Sequence, residues 1–492
     1  MTDGSVAKFG LFIAGEEIEG HGGPARPLLD PAHNRPIAEV AVGNRDDARR
    51  ALEAAQAAFE RPGWATDDGS LRAQLLRRLA AKLAESAEGF ARLETLTMGK
   101  PLRESRGDLQ YVVRTLEYVS GLADKIEGST IPVPGPRFDY TLREPLGVTV
   151  HIAPWNYPLL LAMRSVAPAL AAGNTVVLKP ATQTPLTAIA LARLAHEVGL
   201  PPGVLNVVTG AGGDVGEALV DDPRCRQVSF TGSGPVGRRI AELAARRVIP
   251  VTLELGGKSP VVIFPDADLD RAAKGVVYGI FGNAGQMCWA GSRLLLHESI
   301  QAPFLERVKA LAEKLKLGPG VEETTEMGPL VTRDHLDSVL GFIDRARSEG
   351  SRIVTGGERP AAPALAEGNY LQPTVLADLP PTSPIAQEEI FGPVLATFAF
   401  ADADEAVRLA NQTRYGLFAA VWTRDLGTAH TLARRIEAGM VVVNESPLTF
   451  PQTPFGGYKE SGLGSEQGRH ALDSYLRTKN VSVNLGAPRK KA

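Results

Sequence analysis

VTVHIAPWNYPLLLAMRSVAPALAAGNTVVLK, residues 148–179, decides the fold. A short Val-rich run (VTVHIA) is followed by a turn with Pro, Trp and Asn. A longer apolar stretch, LLLAMRSVAPALAA, then reads as a helix, and NTVVLK returns to the strand pattern. Apolar strands separated by helices build a parallel sheet covered on both faces.

The alternation continues downstream. A helix is expected from about Leu186 to Val198, then the strand VLNVVTG, the segment GDVGEALV and the strand RQVSF. A helix from about Val236 to Ala245 and the strand VTLEL complete the series. A second αβ series opens near Ser259 with VVIF and runs to VVVN at 441–444. It includes the strand LFAAVWT and the helix DADEAVRLANQT. Upstream, Leu71, Leu75, Leu76, Leu79 and Leu83 share one helix face. Two segments fit neither series, GSTIPVPGPRFDYTLREP at 128–145 and SYLRTKNVSVNL near the C-terminus. Both read as exposed strands that need a partner.

With 492 residues the chain is too long for one core. Hydrophobic residues make up 44% and charged residues 22%, as in ordinary globular proteins. A net charge of -3 gives no footprint for nucleic acid or an anionic membrane. Neither is expected as a partner. Two cysteines, Cys225 and Cys288, cannot form a disulfide framework and suit a reducing compartment. The N-terminus, MTDGSVAKFG, has no export or transit pattern, and a cytoplasmic protein is expected. The terminal PRKKA reads as a solvated tail.

Three residues carry candidate chemistry. Cys288 sits among glycines in FGNAGQMCWAG, where backbone can approach a ligand closely. Glu254 ends an apolar strand just before Gly256 and Gly257, a setting that raises a carboxyl pKa and suits a general base. Asn156, at another strand end, can donate its amide to a developing oxyanion. Cys225, in DPRCRQVSF, reads as buried and inert. A thiol hydrolase would need a paired His, and no hydrolase motif surrounds any of the 8 histidines. FTGSGPVG contains G-x-G-x-x-G at Gly232, Gly234 and Gly237, after a strand and at the start of a helix. The dinucleotide-binding reading of that motif makes Glu254 a ribose ligand rather than a base.

PWNYP, KPATQTP, FTGSGPVG, ELGGKSP, GQMC, EEIFGPV and PFGGYKESGLG occur in the order typical of the NAD(P)-dependent aldehyde dehydrogenases, which the chain resembles from about Phe12 to about Val483. Glu254 and Cys288 are 288 − 254 = 34 positions apart, as in that family. The resemblance implies an α/β fold: a Rossmann-like parallel-sheet cofactor domain (1–127 and 146–255), a second α/β catalytic domain (256–465) and a small β oligomerisation element (128–145 and 466–492). It implies NAD or NADP as cofactor, an aldehyde as substrate, and a homodimer or homotetramer. Cys288 is then the nucleophile, Asn156 the oxyanion donor and Glu254 the base that activates water. Ser233 and the helix N-terminus, with Gly232 and Gly237, meet the pyrophosphate. Lys179 and Thr182 lie at the adenosine ribose, Glu389 holds the nicotinamide ribose, Phe391 packs on the nicotinamide and Trp155 lines the groove. No metal ligands are assigned.

Ser165 and Arg164 stand where many relatives carry Lys and an aromatic residue. An Arg164 near the aldehyde entrance can pair with a substrate carboxylate, which points to a semialdehyde. MRSVAPALA is also similar to benzaldehyde-type enzymes, which points to an aromatic aldehyde. Alternatively Arg164 pairs with a protein carboxylate such as Glu445. Tyr157, Leu161, Trp289, Phe450 and Phe455 are candidates for a tunnel wall or for ordinary core. Two alternative functions remain: a CoA-acylating semialdehyde dehydrogenase, whose relatives typically lack the Glu of ELGGK, and a catalytically silent structural or binding protein on the same scaffold.

Overall fold

The computed structural model describes residues 7–66 and 69–486. The first six residues and the PRKKA tail lie outside the described residues. Five parallel strands form the middle of an eight-stranded first sheet, in the spatial order Val251–Glu254, Cys225–Thr231, Val148–Ile152, Thr175–Lys179 and Leu205–Val207, with Leu11–Ile13 and Glu16–Ile18 antiparallel beyond the last of them. Both faces are covered. Val176 and Leu178 pack under the helices Pro158–Ala171 and Leu186–Glu197, whereas Val177 joins the opposite core with Val148, Val150 and Ile240 of the helix Gly234–Arg246. The first strand of the series therefore lies in the middle, with later strands placed to either side. The order reverses between Val148–Ile152 and Cys225–Thr231, and ligands of open α/β sheets bind beyond the carboxyl ends of the strands at such a switch point.

A seven-stranded second sheet runs in the order Arg352–Thr355, Thr374–Ala377, Val394–Phe400, Arg293–His297, Pro260–Ile263, Phe418–Trp422 and Met440–Val443. Only Arg352–Thr355 is antiparallel. It has its own core, with Val262, Leu295 and Ala396 wholly buried. The α/β fold class read from the sequence is the one observed.

Several expectations are corrected in detail. The two unassigned strands pair with each other within one chain: Arg137–Pro145 runs antiparallel to Leu476–Asn484, from Arg137 opposite Asn484 to Pro145 opposite Leu476. Residues 466–475 do not belong to that small sheet. Their 3₁₀ turn Arg469–Tyr475 buries Leu472 and Tyr475 in the core of the first domain. Gly462–Leu463, expected in the second domain, adds an antiparallel strand to Val251–Glu254 in the first sheet. GDVGEALV forms a π-helical turn, Gly212–Gly216, continued by the helix Glu217–Asp221. Of the leucine stripe, Leu75, Leu76, Leu79 and Leu83 are buried and Leu71 is exposed. Among the described residues no helix is long and apolar enough to cross a membrane.

Candidate active site

Three carboxyl-terminal strand ends of the first sheet open into one cavity of about 240 Å³. Beyond Val148–Ile152 come Trp155 and Asn156, beyond Cys225–Thr231 come Gly232 and Ser233, and Val251–Glu254 ends on Glu254 itself. Cys288, Glu389 and Phe391 line the same cavity from the second domain. The three residues singled out for chemistry, far apart in sequence, therefore share one site.

Cys288 follows the turn Gly282–Gly285, in which Asn283 and Ala284 adopt left-handed φ values of 46° and 51°. Such values are costly for L-residues and persist only where surrounding bonds over-determine them. The Asn283 N–H donates to Glu104 Oε2 at 3.0 Å, and Asn283 Nδ2 donates to the Asn156 carbonyl at 3.1 Å. Gln286 Nε2 donates to the Asn283 carbonyl at 3.0 Å, and Asn156 Nδ2 donates to the Gln286 carbonyl at 2.9 Å. Burial pushes the Cys288 thiol up to about 12; Arg164 opposes this, and Glu389 and Glu254 add to it. Cys225 is wholly buried and also pushed up to about 12, which fits the inert role read for it.

Glu254 is 3% exposed, and among the described residues neither carboxylate oxygen has a hydrogen-bond partner. Burial raises its pKa well above the ordinary carboxyl range, Glu466 adds to the rise and Arg164 opposes it. A carboxyl in this setting holds its proton more tightly than a free one and acts as a base only after it ionises.

Arg164 is buried and its Nε lies 3.2 Å from Glu466 Oε2, so its protein partner is Glu466 and not Glu445. Glu445 instead lies 3.9 Å from Arg271. The Arg164 guanidinium also stacks 3.9 Å above the Phe455 ring, and Ser229 Oγ donates to Glu466 Oε1 at 3.1 Å. Phe455 is core, packed edge-on against Trp289 at 5.5 Å, whereas Phe450 is half-exposed. Leu161 lines the cavity, and Tyr157 lies beneath the Lys100 ammonium. Sequence reasoning missed Glu466, whose only signal was an acidic residue in the glycine-rich stretch GLGSEQG.

Of the residues expected at the cofactor, Trp155, Gly232, Ser233, Glu389 and Phe391 line the same cavity. The helix Gly234–Arg246 begins without a side-chain cap from Ser233 and with Pro235 in its first turn, a helix start of the kind that meets anions. Glu389 accepts from the Gly257 N–H at 3.1 Å and is pushed up to about 7 by burial. It lies so close that a Cβ on Gly256 would come within 2.0 Å of its carboxylate. Phe391 has φ 60° and meets Trp155 edge-to-face at 5.2 Å. His335, also missed, lines the cavity and donates through Nε2 to the Phe391 carbonyl at 2.7 Å. Lys179 is buried, donates to the Pro180 carbonyl at 3.2 Å and is pulled down to about 8 by burial. Thr182 is half-buried, with Oγ1 on Gln183 Oε1 at 3.1 Å, and does not cap the next helix, which starts at Leu186.

Fold and site together define a two-domain α/β enzyme with a cysteine, a carboxylic acid and an amide at the switch point of its first sheet. Residues 18–481 match the aldehyde dehydrogenase family. The chain is 43% identical to hydroxyisobutyraldehyde dehydrogenase of Mycolicibacterium austroafricanum, over 96% of this chain and 94% of that one. It is 42% identical to betaine aldehyde dehydrogenase 1 of Oryza sativa subsp. japonica, over 97% and 96%. Among solved structures, betaine aldehyde dehydrogenase of Staphylococcus aureus in complex with NAD+ superposes with a TM-score of 0.96 at 39% identity, covering 98% of this chain and 95% of that one. The chain belongs to the aldehyde dehydrogenase family.

Proposed function

We propose that the protein oxidises an aldehyde to the carboxylic acid through a covalent Cys288 adduct. The observation that carries this reading is the meeting of Cys288, Glu254 and Asn156 in one cavity, with the Glu254 carboxyl free of any hydrogen bond among the described residues. Cys288 Sγ loses its proton to solvent and adds to the carbonyl carbon, whose π electrons move onto the oxygen. Asn156 Nδ2 and the Cys288 N–H stabilise the oxyanion, Asn156 turning from the Gln286 carbonyl to do so. Oxidation of this adduct leaves a thioester. Glu254 then takes a proton from water, which attacks the thioester, and the acid departs as the thiol is restored. Glu254 favours this hydrolytic course over transfer to CoA.

A nicotinamide dinucleotide, when bound, supplies the two-electron acceptor. The groove suits it: the helix start beside Ser233 for pyrophosphate, Glu389 for the nicotinamide ribose, Phe391 and Trp155 for the ring, and Lys179 with Thr182 for the adenosine ribose. Reduced-cofactor absorbance over a panel of aldehydes tests the whole reading. No absorbance change with any aldehyde would sink it.

For the substrate, a semialdehyde carboxylate reaching Arg164 has to share it with Glu466. An aromatic aldehyde makes no such demand. Relatives named for hydroxyisobutyraldehyde and betaine aldehyde add a small polar aldehyde to the panel.

Thr182 stands where strongly NAD-preferring relatives carry Glu, so nothing there repels a 2′-phosphate, and Lys179 supplies a cation. NADP should be accepted with kcat/KM at least comparable to that for NAD. Thr182→Glu should shift the ratio toward NAD by roughly tenfold or more, about 1.4 kcal/mol. A wild type that prefers NAD a hundredfold, or an unchanged ratio in the variant, would show this pocket is misread.

The reading includes a cytoplasmic homodimer or homotetramer. The small sheet leaves the edge strand Leu476–Asn484 with one unpaired side, and Phe138, Leu142 and Val483 are exposed on it. Sedimentation at micromolar concentration should give a dimer or tetramer. A monomer would refute this part.

A further inference from the structure

Beneath the site lies a buried ionic cluster that the mechanism above does not use. Lys100 is 1% exposed and sits between two helices, Ala87–Met98 and Leu102–Ser120. Its Nζ lies 3.2 Å from Glu94 Oε2, contacts Asp108 Oδ2 closely, and donates to the Asn156 carbonyl at 3.5 Å. The same ammonium stands 4.6 Å from the Tyr157 ring centroid. Two buried carboxylates hold the cation, and the cation reaches the Asn156 carbonyl and the Tyr157 ring, two consecutive residues of the PWNYP loop.

Glu94 extends the grip. The helix Pro158–Ala171, which continues that loop, has no side-chain cap at Tyr157 and begins with Pro at its first position. The Leu159 N–H, an orphan of the first turn, donates instead to Glu94 Oε1 at 2.8 Å, and Thr187 Oγ1 donates to the same oxygen at 3.2 Å. A carboxylate at a helix N-terminus also meets the positive end of the dipole. Asn156 is thus fixed on both sides, through its carbonyl by Lys100 and Asn283, and through the following turn by Glu94.

We propose that Lys100, held by Glu94 and Asp108, is a positioning residue that aims the Asn156 amide at the oxyanion. Burying three ionised side chains is expensive, and a buried ion cluster is weak support for stability alone, because apolar groups of the same shape pack as well or better. A small error in donor placement, by contrast, is costly in rate. This inference rests on the oxyanion role given to Asn156 under the proposed function.

Lys100→Met would leave two carboxylates buried without a countercharge and would test folding rather than aim. Lys100→Arg keeps the charge but replaces a compact ammonium by a planar fork. Glu94→Gln keeps an acceptor for the Leu159 N–H while weakening the hold on Lys100. Each is made in the wild-type and in the Asn156→Ala background, and kcat, KM and cofactor affinity are measured. In the wild-type background kcat should fall about tenfold or more, with cofactor affinity unchanged. In the Asn156→Ala background the same changes should cost less than about twofold, because the donor they aim is gone. Equal losses in the two backgrounds, or Lys100→Arg and Glu94→Gln enzymes within twofold of wild type, overturn the proposal. Asn156→Ala alone tests the oxyanion reading: if that variant turns over normally, both the reading and the inference fall, whereas additive losses remove only the inference.

Discussion

Cys288→Ser should lower aldehyde oxidation by at least about a thousandfold, about 4 kcal/mol of barrier, while cofactor binding stays largely intact. The reasons lie in ionisation and nucleophilicity. Desolvation already pushes the Cys288 thiol up to about 12, and a hydroxyl there is far harder to ionise. An alkoxide-like attack would also have to develop in a cavity where Glu389 and Glu254 raise the cost of any further negative charge. The substitution is nearly isosteric, so the strained turn at Asn283–Ala284 and the groove residues Glu389 and Phe391 should keep their places. Activity and cofactor titration, measured on the same preparation, separate the two effects. A Ser variant with a tenth of the wild-type rate would remove Cys288 from the role of nucleophile.

Glu254→Gln should slow hydrolysis of the thioester about a hundredfold or more and leave the earlier steps much less affected. A pre-steady-state burst of reduced cofactor should survive, followed by slow turnover. The pH dependence has a definite sign. The Glu254 pKa is raised well above the ordinary carboxyl range by burial, with Glu466 adding to it, so the base ionises only as pH rises through that raised value. Base-dependent turnover should therefore rise with pH and, as pH falls, be lost at a higher pH than an ordinary carboxylate would give. The Gln variant, with no carboxyl to ionise, should lose that part of the rise. If the main defect of Glu254→Gln were lost cofactor affinity, with no burst, Glu254 would be the ribose ligand of the simple G-x-G-x-x-G reading.

Local patterns made much of the architecture legible. Val-rich strands with Gly and Pro punctuation marked the parallel sheet, and its helices were found to within about two residues at each end. The candidate site was legible through strand ends: Glu254 ends one strand and Asn156 lies in the loop beyond another, and the ordered motifs supplied Cys288, Glu389 and Phe391. Long-range pairing was not legible. That residues 128–145 would find the C-terminal strand of the same chain depends on contacts hundreds of positions apart, which no periodicity encodes. The choice of Glu466 over Glu445 for Arg164 was hidden for the same reason, since both acids lie in Gly- or Pro-containing loops of similar composition. Lys100 and His335 carry no local signature, because a buried cation and a ring N–H on a carbonyl are defined only by their neighbours.

The antiparallel strand Gly462–Leu463 has a consequence for the order of events during synthesis. Val251–Glu254 is made early, and its outer edge stays open until residues 461–463 reach it. Then the Leu255 N–H donates to the Ser461 carbonyl at 2.8 Å and Ser461 Oγ donates to the Gly256 carbonyl at 2.8 Å. Glu466, which follows at once, brings Arg164 its countercharge. A nascent chain that already carries Cys288 and Glu254 thus lacks the frame that holds them. The frame around Cys288 and Glu254 is therefore complete only once the stretch from Ser461 to Glu466 has returned to the first domain.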